Sequence, residues 1–147
     1  MLGPLGRGKG LLNCMQKPPI PQEEAKRNIP FAIIMTILTC GIYDLYWNAQ
    51  QMKTLNAFLR RNEFSFGKWL IFSLLTCGIY HVFYEYRMSQ AIIELQKKLG
   101  RHVDPNLPLL AILLSLFGLS IVMDAIHQNE INEIFDHFES PPKSIQP

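Results

Sequence analysis

One pentapeptide occurs twice in this chain of 147 residues. Thr-Cys-Gly-Ile-Tyr stands at 39–43 and again at 76–80, each time after an apolar run and before an aromatic-rich segment. Such internal self-similarity is typical of a fold built from repeated units. A diverged third copy aligns Ser120 with Gly78, and Gly118 lies shortly before it. We therefore predict three repeats, at about 28–62, 65–100 and 106–139.

Each repeat is predicted to contain a short apolar helix, a break at glycine and an amphipathic helix. Glycine inside a helix costs roughly 1 kcal/mol relative to alanine, which favours ending the helix there. Cysteine beside the glycine is a small apolar residue that permits close approach of another helix, and its spacing fits neither a zinc site nor a disulfide framework. The residues expected to break and pack the helices are Thr39, Cys40, Gly41, Thr76, Cys77, Gly78, Gly118 and Ser120.

The apolar runs are short for a membrane protein. They cover 29–43, 69–80 and 107–123, whereas a straight span needs about 20 apolar residues. Two topologies therefore remain open. Each repeat is either one kinked transmembrane helix, or a half-membrane helix that breaks at Thr-Cys-Gly and returns or follows the interface. The arm before the first repeat and both connectors are basic, and the positive-inside rule favours the second topology.

Aromatic residues cluster around the breaks. Trp and Tyr concentrate at membrane interfaces because their rings are apolar at one end and polar at the other. Ordinary packing between helices is the alternative, and both roles are compatible with this spacing. The candidate lipid-interface residues are Tyr43, Tyr46, Trp47, Trp69, Tyr80 and Tyr84.

The two ends of the chain differ in composition from the repeats. Residues 1–27 are rich in Gly, Pro, Lys and Arg and are predicted to form a flexible basic arm, and 140–147 a disordered tail. Residues 28–139 are the predicted membrane domain. The net charge of +2 is too small to indicate a nucleic-acid partner.

No enzyme motif is evident. The four histidines lack HExxH or triad-like neighbours, and no phosphate-binding or dinucleotide fingerprint occurs. Asp44, Glu85 and Asp124 lie in or beside apolar segments, where ionisable residues are often functional. Pairing with Arg or Lys of a neighbour is the alternative. We expect no catalytic residue, no metal site and no cofactor, although bound lipid is possible.

The first copy of the motif resembles a known family. Its apolar run ends in Thr-Cys-Gly-Ile-Tyr and is followed by Tyr46-Trp47, then Lys53 and Leu55-Asn56. This pattern is similar to a family of small bacterial and archaeal membrane proteins known as domain of unknown function family 4234. The second copy departs from it, with Phe83-Tyr84 at the aromatic pair. The resemblance covers roughly 26–138, implies a membrane location and leaves the activity open.

Together these features predict an all-α integral membrane protein that forms a cyclic homo-oligomer. One chain of short helices cannot bury its own breaks, and homo-oligomers usually close by rotation. The resemblance implies a ring that holds lipid and favours a pentamer. The function expected is a non-enzymatic lipid-interacting assembly that organises or perturbs a bacterial membrane, because short apolar elements mismatch the bilayer thickness.

Two other functions remain open at this point. A channel would need a polar lining, for which the candidates are Asp44, Asn48, Gln50 and His81. An accessory subunit of another membrane complex would use the basic connectors or the acidic tail as its partner surface.

Overall fold

The computed structural model describes residues 18–139, and every regular element in that stretch is an α-helix. The seven helices are α1 Gln22–Ala25, α2 Ile29–Leu38, α3 Ile42–Leu59, α4 Phe66–Leu75, α5 Ile79–Lys98, α6 Leu107–Leu116 and α7 Ser120–Glu139. The predicted all-α class is confirmed. Between residues 18 and 139, no helix has both the length and the apolar character needed to cross a membrane.

The predicted arm, residues 1–27, is described only from residue 18, and the predicted tail at 140–147 lies outside the described range. The described part of the arm packs against the helices. Ala25 is buried, and its carbonyl accepts a hydrogen bond from the Gln128 side-chain amide at 2.9 Å. A buried backbone carbonyl needs such a partner, so this stretch belongs to the folded part of the chain.

Each repeat pairs a short apolar helix with a long one: α2 with α3, α4 with α5, and α6 with α7. The short helices have 10 residues each. Local sequence signals explain where two of them start. The Asn28 side chain accepts a hydrogen bond from the Phe31 amide at 3.1 Å and caps α2. Proline stands in the first turn of α2 and of α6, where its missing amide hydrogen has no cost.

The repeated pentapeptide forms a tight connection between two helices. Cys40 and Gly41 both adopt left-handed backbone conformations, with φ of 51° and 91°. The Thr39 hydroxyl donates to the Met35 carbonyl at 2.7 Å and accepts from the Tyr43 amide at 2.9 Å. One side chain thus adds a second hydrogen bond to a carbonyl of the first helix and satisfies a free amide of the second.

The second copy repeats this geometry. Cys77 and Gly78 have φ of 52° and 92°, and the Thr76 hydroxyl bonds the Phe72 carbonyl and the Tyr80 amide. The glycines permit the backbone conformation and are not required by crowding, since a Cβ added at Gly41 or Gly78 would meet nothing within 4 Å. The breaks therefore reverse the direction of the chain. Within the described residues, no other helix packs closely against these glycines.

The third break differs by one residue from the alignment made on sequence. The amide of Leu119 donates to the Leu114 carbonyl at 2.8 Å, as Gly78 does to Ser73. Leu119 therefore takes the glycine position, and Ser120, which the sequence aligns there, begins α7. The left-handed residue is Gly118, with φ of 73°. A single left-handed glycine replaces the Cys-Gly pair at this break.

We expect Thr39→Val to lower the free energy of unfolding by about 1 kcal/mol, because two hydrogen bonds at the break are lost while the shape is kept. Thr39→Ser retains the hydroxyl and is the matched control. Thermal unfolding followed by circular dichroism measures both. Equal stability of the valine and serine variants would contradict the capping role.

The long helices surround a common core. Leu55, Ile92 and Ile134, which the sequence places at equivalent positions of the repeats, are each fully buried. Burial of such a side chain contributes roughly 1.5–3 kcal/mol. In the first half of α3, Trp47 is also fully buried and donates from Nε1 to Oε1 of Gln128 on α7 at 2.9 Å.

Ion pairs join the ends of the long helices that lie away from the breaks. Arg61, just after α3, forms two bonds of 2.9 and 2.6 Å with Glu94 near the end of α5. Arg101, just after α5, pairs with Glu133 in the second half of α7 at 2.8 Å. The long helices therefore run parallel. All three breaks lie at one end of the molecule, and the charged connectors lie at the other.

The first repeat and the residues just before it also contact the third repeat. Lys26 forms an ion pair with Asp136, and the Asn132 side-chain amide donates to the carbonyl of Arg27 at 2.9 Å. Helices α2 and α3 both pack against α7. Each repeat consequently contacts the other two.

Candidate functional site

The end of the molecule that holds the breaks exposes large apolar side chains. Leu75 is 74% exposed, Ile79 is 75% and Phe117 is 78%. Large apolar residues beside all three breaks share this exposure, and we call them the apolar end: Ile37, Leu38, Ile42, Leu74, Leu75, Ile79, Leu116, Phe117 and Leu119. Contiguous exposed apolar surface on this scale marks a site of interaction with lipid or protein.

The break residues themselves lie in this exposed region. Cys40 and Cys77 are exposed, free thiols. Thr76 and Gly118 are exposed as well, while Thr39, Gly41, Gly78 and Ser120 are half-buried. The apolar character of the exposed end thus extends through the connections between the helices.

The six aromatic residues proposed for a lipid interface fall into two groups. Tyr46 is exposed, and Tyr43 and Tyr80 are half-buried. Trp47, Trp69 and Tyr84 are buried inside the chain. The last three fit the packing alternative, because their rings fill the interior between helices.

A buried polar cluster lies between the long helices, next to the apolar end. Helix α3 contributes Asp44 and Asn48, α5 contributes Glu85, and α7 contributes Asp124 and His127. Side chains three or four residues apart share one helix face, which brings these groups to the core side. Asn48, Glu85, Asp124 and His127 are each 0% exposed.

The carboxylates of Glu85 and Asp124 lack hydrogen-bond donors. Neither oxygen of Glu85 and neither oxygen of Asp124 accepts a hydrogen bond, and the Asn48 side-chain oxygen is also without a partner. Buried polar atoms are normally satisfied, and each exception needs an explanation. This concentration of unpartnered oxygens is therefore the most unusual chemical feature of the described residues.

Histidines are the ion-pair partners of Glu85 in the described part of the chain. His127 Nδ1 lies 3.2 Å from one carboxylate oxygen, and His81 Nε2 lies 3.7 Å from the other. The Nδ1 atom of His81 accepts a hydrogen bond from Trp69 Nε1 at 3.2 Å, which leaves its Nε2 to face Glu85. His127 is the nearer of the two imidazoles to the Glu85 carboxylate.

Burial changes the acidity of the cluster. It raises the pKa of Asp124 well above its usual range, and the charges of Glu85 and Asp44 raise that pKa further. Burial likewise raises the pKa of Asp44. Three carboxyls thus face two imidazole rings, and the deficit of positive charge is built into the interior.

The sequence pointed to Asp44, Glu85 and Asp124 but missed His127, which lacked any recognisable motif. A usable signal was present, since His127 shares a helix face with Asp124 and with buried Ile131. Of the residues suggested for a channel lining, Asp44, Asn48 and His81 lie in or beside this cluster. Gln50 does not belong to it.

Comparison with known proteins gives one family. The model of a family described as Domain of unknown function (DUF4234) matches residues 27–94 and again 64–132. The two overlapping matches agree with the internal repetition seen in the sequence and in the structure. No curated protein and no solved structure matches the chain.

Proposed function

The chain belongs to the DUF4234 family, and from that premise we propose that it is a non-enzymatic, lipid-interacting protein of a bacterial membrane. In this proposal the apolar end inserts into one leaflet and the charged connectors stay in water. The observation that supports it is the gathering of all three breaks, with their exposed apolar side chains, at one end.

The dimensions of the short helices agree with insertion into one leaflet. A helix of 10 residues is roughly 15 Å long at 1.5 Å per residue. The hydrocarbon core of a bilayer is about 30 Å thick. A short helix that enters perpendicular to the surface therefore ends near the bilayer midplane, where the break turns the chain back.

The hydrogen bonding of the breaks is compatible with a hydrocarbon environment. Backbone groups in lipid must find partners within the protein. At the first break, the amide of Gly41 donates to the Thr36 carbonyl at 2.8 Å, and the Thr39 hydroxyl satisfies the neighbouring groups. Tyr43, Tyr46 and Tyr80 then lie where the helix rises from the apolar end, as interfacial anchors would.

Self-association into a ring, with a pentamer as the first expectation, is the second part of the proposal. An apolar groove lined by Ile79, Val82, Phe83, Tyr86, Ile112 and Leu116 opens on the side of the molecule. A second copy or a lipid chain would cover it. Mass measurement in detergent tests the assembly, and a particle of monomer mass at every concentration would contradict it.

Vesicle flotation tests the membrane proposal. We expect wild-type protein to float with vesicles of anionic bacterial lipid and Leu75→Asp to bind about 100-fold more weakly, because inserting Asp in place of Leu costs about 3 kcal/mol. Leu75 is 74% exposed, so folding is expected to survive.

Gln90→Asp is the matched control, since Gln90 is exposed and lies away from the apolar end. It adds the same charge and should bind like the wild type. Equal flotation of both variants would overturn leaflet insertion. Ion flux through protein-loaded vesicles would favour a channel instead, and stoichiometric co-purification of a second protein would favour an accessory subunit.

A further inference from the structure

The buried polar cluster poses a charge problem that the lipid proposal does not address. Glu85, Asp124 and His127 are all fully buried, and no lysine or arginine among residues 18–139 pairs with these carboxylates. Burying an uncompensated carboxylate is costly, so such groups are normally paired, protonated or bound to a metal ion.

Hydrogen bonding around His127 is compatible with a proton on Nε2. The Ser89 hydroxyl donates to the backbone carbonyl of Glu85 at 3.1 Å. Its oxygen lies 2.8 Å from His127 Nε2. When the hydroxyl proton is directed at the Glu85 carbonyl, the Ser89 oxygen accepts from His127 Nε2.

The other ring nitrogen then faces Glu85. His127 Nδ1 is 3.2 Å from a Glu85 carboxylate oxygen and makes no hydrogen bond. In the neutral ring this places a nitrogen lone pair against a carboxylate oxygen, which is repulsive. A cation between the two groups, or a proton shared by them, removes the repulsion.

The positions of the donor atoms are consistent with a bound cation. One ligand atom from each of Glu85, Asp124 and His127 lies within 4.8 Å of the other two. Metal–ligand bonds of about 2.0–2.2 Å place donor atoms roughly 3.3–3.6 Å apart around a tetrahedral ion. The 3.2 Å between His127 Nδ1 and a Glu85 oxygen is close to this spacing.

We propose that Glu85, Asp124 and His127 bind one divalent transition-metal ion between α5 and α7. Nδ1 of His127 and one oxygen from each carboxylate are the ligands. Ser89 is the positioning residue, because metal-binding histidines usually donate their second N–H to a fixed acceptor. Mixed imidazole and carboxylate donors suit zinc and related dications.

Asp44 and Asn48 complete the surroundings of this site. Asp44 accepts a hydrogen bond from the Asn48 side-chain amide, and the unpartnered Asn48 oxygen is buried in the same interior. Because the ligands are inaccessible in the folded chain, the ion must enter during folding or through local opening. Bound metal would then connect α5 of the second repeat with α7 of the third repeat inside the core.

Metal titration of the full chain tests this site. Protein purified in detergent is stripped with EDTA and titrated with Co²⁺, whose visible absorption reports coordination, and with Zn²⁺ by calorimetry. We expect one ion per chain in the wild type. Glu85→Gln and Asp124→Asn should each weaken binding on the order of 100-fold.

The control is Asp136→Asn, the same substitution on the same helix at an exposed position, which should leave metal binding unchanged. Circular dichroism of the metal-free variants verifies that they are folded. Failure of the wild type to bind either metal would overturn the proposal. It would indicate that bound protons compensate the charge of the cluster. Equal binding by wild type and both cluster variants would overturn it too, by locating the ion elsewhere. Neither result bears on vesicle flotation, so the two proposals fail separately.

Discussion

Trp47→Ala is expected to lower the free energy of unfolding by about 4 kcal/mol, the cost typical of removing a buried tryptophan. The indole is 0% exposed and its Nε1 donates to Gln128 Oε1 at 2.9 Å. Gln128 in turn donates to the carbonyl of Ala25. The substitution leaves a cavity and also removes the partner of a buried amide. Denaturant unfolding of the purified protein measures the loss.

Tyr46→Ala is its matched control, one residue earlier in the same helix. Tyr46 is 47% exposed, so its removal should change stability little and reduce vesicle binding instead. The pair separates the two roles that aromatic residues have in this chain. Similar destabilisation by both substitutions would contradict the division into buried and interfacial aromatics.

Asp124→Asn is expected to stabilise the metal-free protein at pH 8 by about 2–4 kcal/mol, because it removes a buried charge without a compensating partner. Burial raises the pKa of Asp124 in the folded state. A raised carboxyl pKa contributes stability below the unfolded value and loses it as pH rises through the folded value. Wild-type stability should therefore fall with increasing pH above about 4, by at most about 1.4 kcal/mol per unit from this group.

Unfolding in EDTA across pH 4–8 measures this effect. The wild type and Asp124→Asn should converge at the acid end and separate as pH rises. Asp136→Asn, at the surface, should follow the wild-type profile, since an exposed ion pair contributes at most about 1 kcal/mol. Lower stability of Asp124→Asn than of the wild type at pH 8 would show that the carboxylate has a favourable partner.

Much of the helical organisation could be predicted from the sequence because it depends on local chemistry. Repetition of Thr-Cys-Gly located the first two breaks, and left-handed glycine explains them. The aromatic residues were harder. Trp47 and Tyr46 are adjacent, yet one is buried and the other exposed, and composition does not separate an interfacial ring from a core ring. Their positions depend on how α3 is rotated about its own axis relative to α7.

The contacts of His127 could not be predicted for a related reason. The third repeat has diverged, and its alignment placed Ser120 one residue away from the position that the backbone gives it. An error of one residue rotates a helix by about 100°. That uncertainty is enough to move a side chain from the core to the surface. The contact between His127 on α7 and Glu85 on α5 could therefore be identified only once the register of α7 was known.

Contact between the first and third repeats has a further consequence for how the chain holds together. Linear repeat arrays need specialised end units, because their terminal repeats have a neighbour on one side only. Here residues around Arg27 bond to α7, so each repeat has two neighbours and no unit is terminal. The three interfaces between repeats then all contribute to the stability of one closed arrangement. Damage to any one interface leaves two open ends, and for that reason we expect the three repeats to unfold as a single cooperative unit.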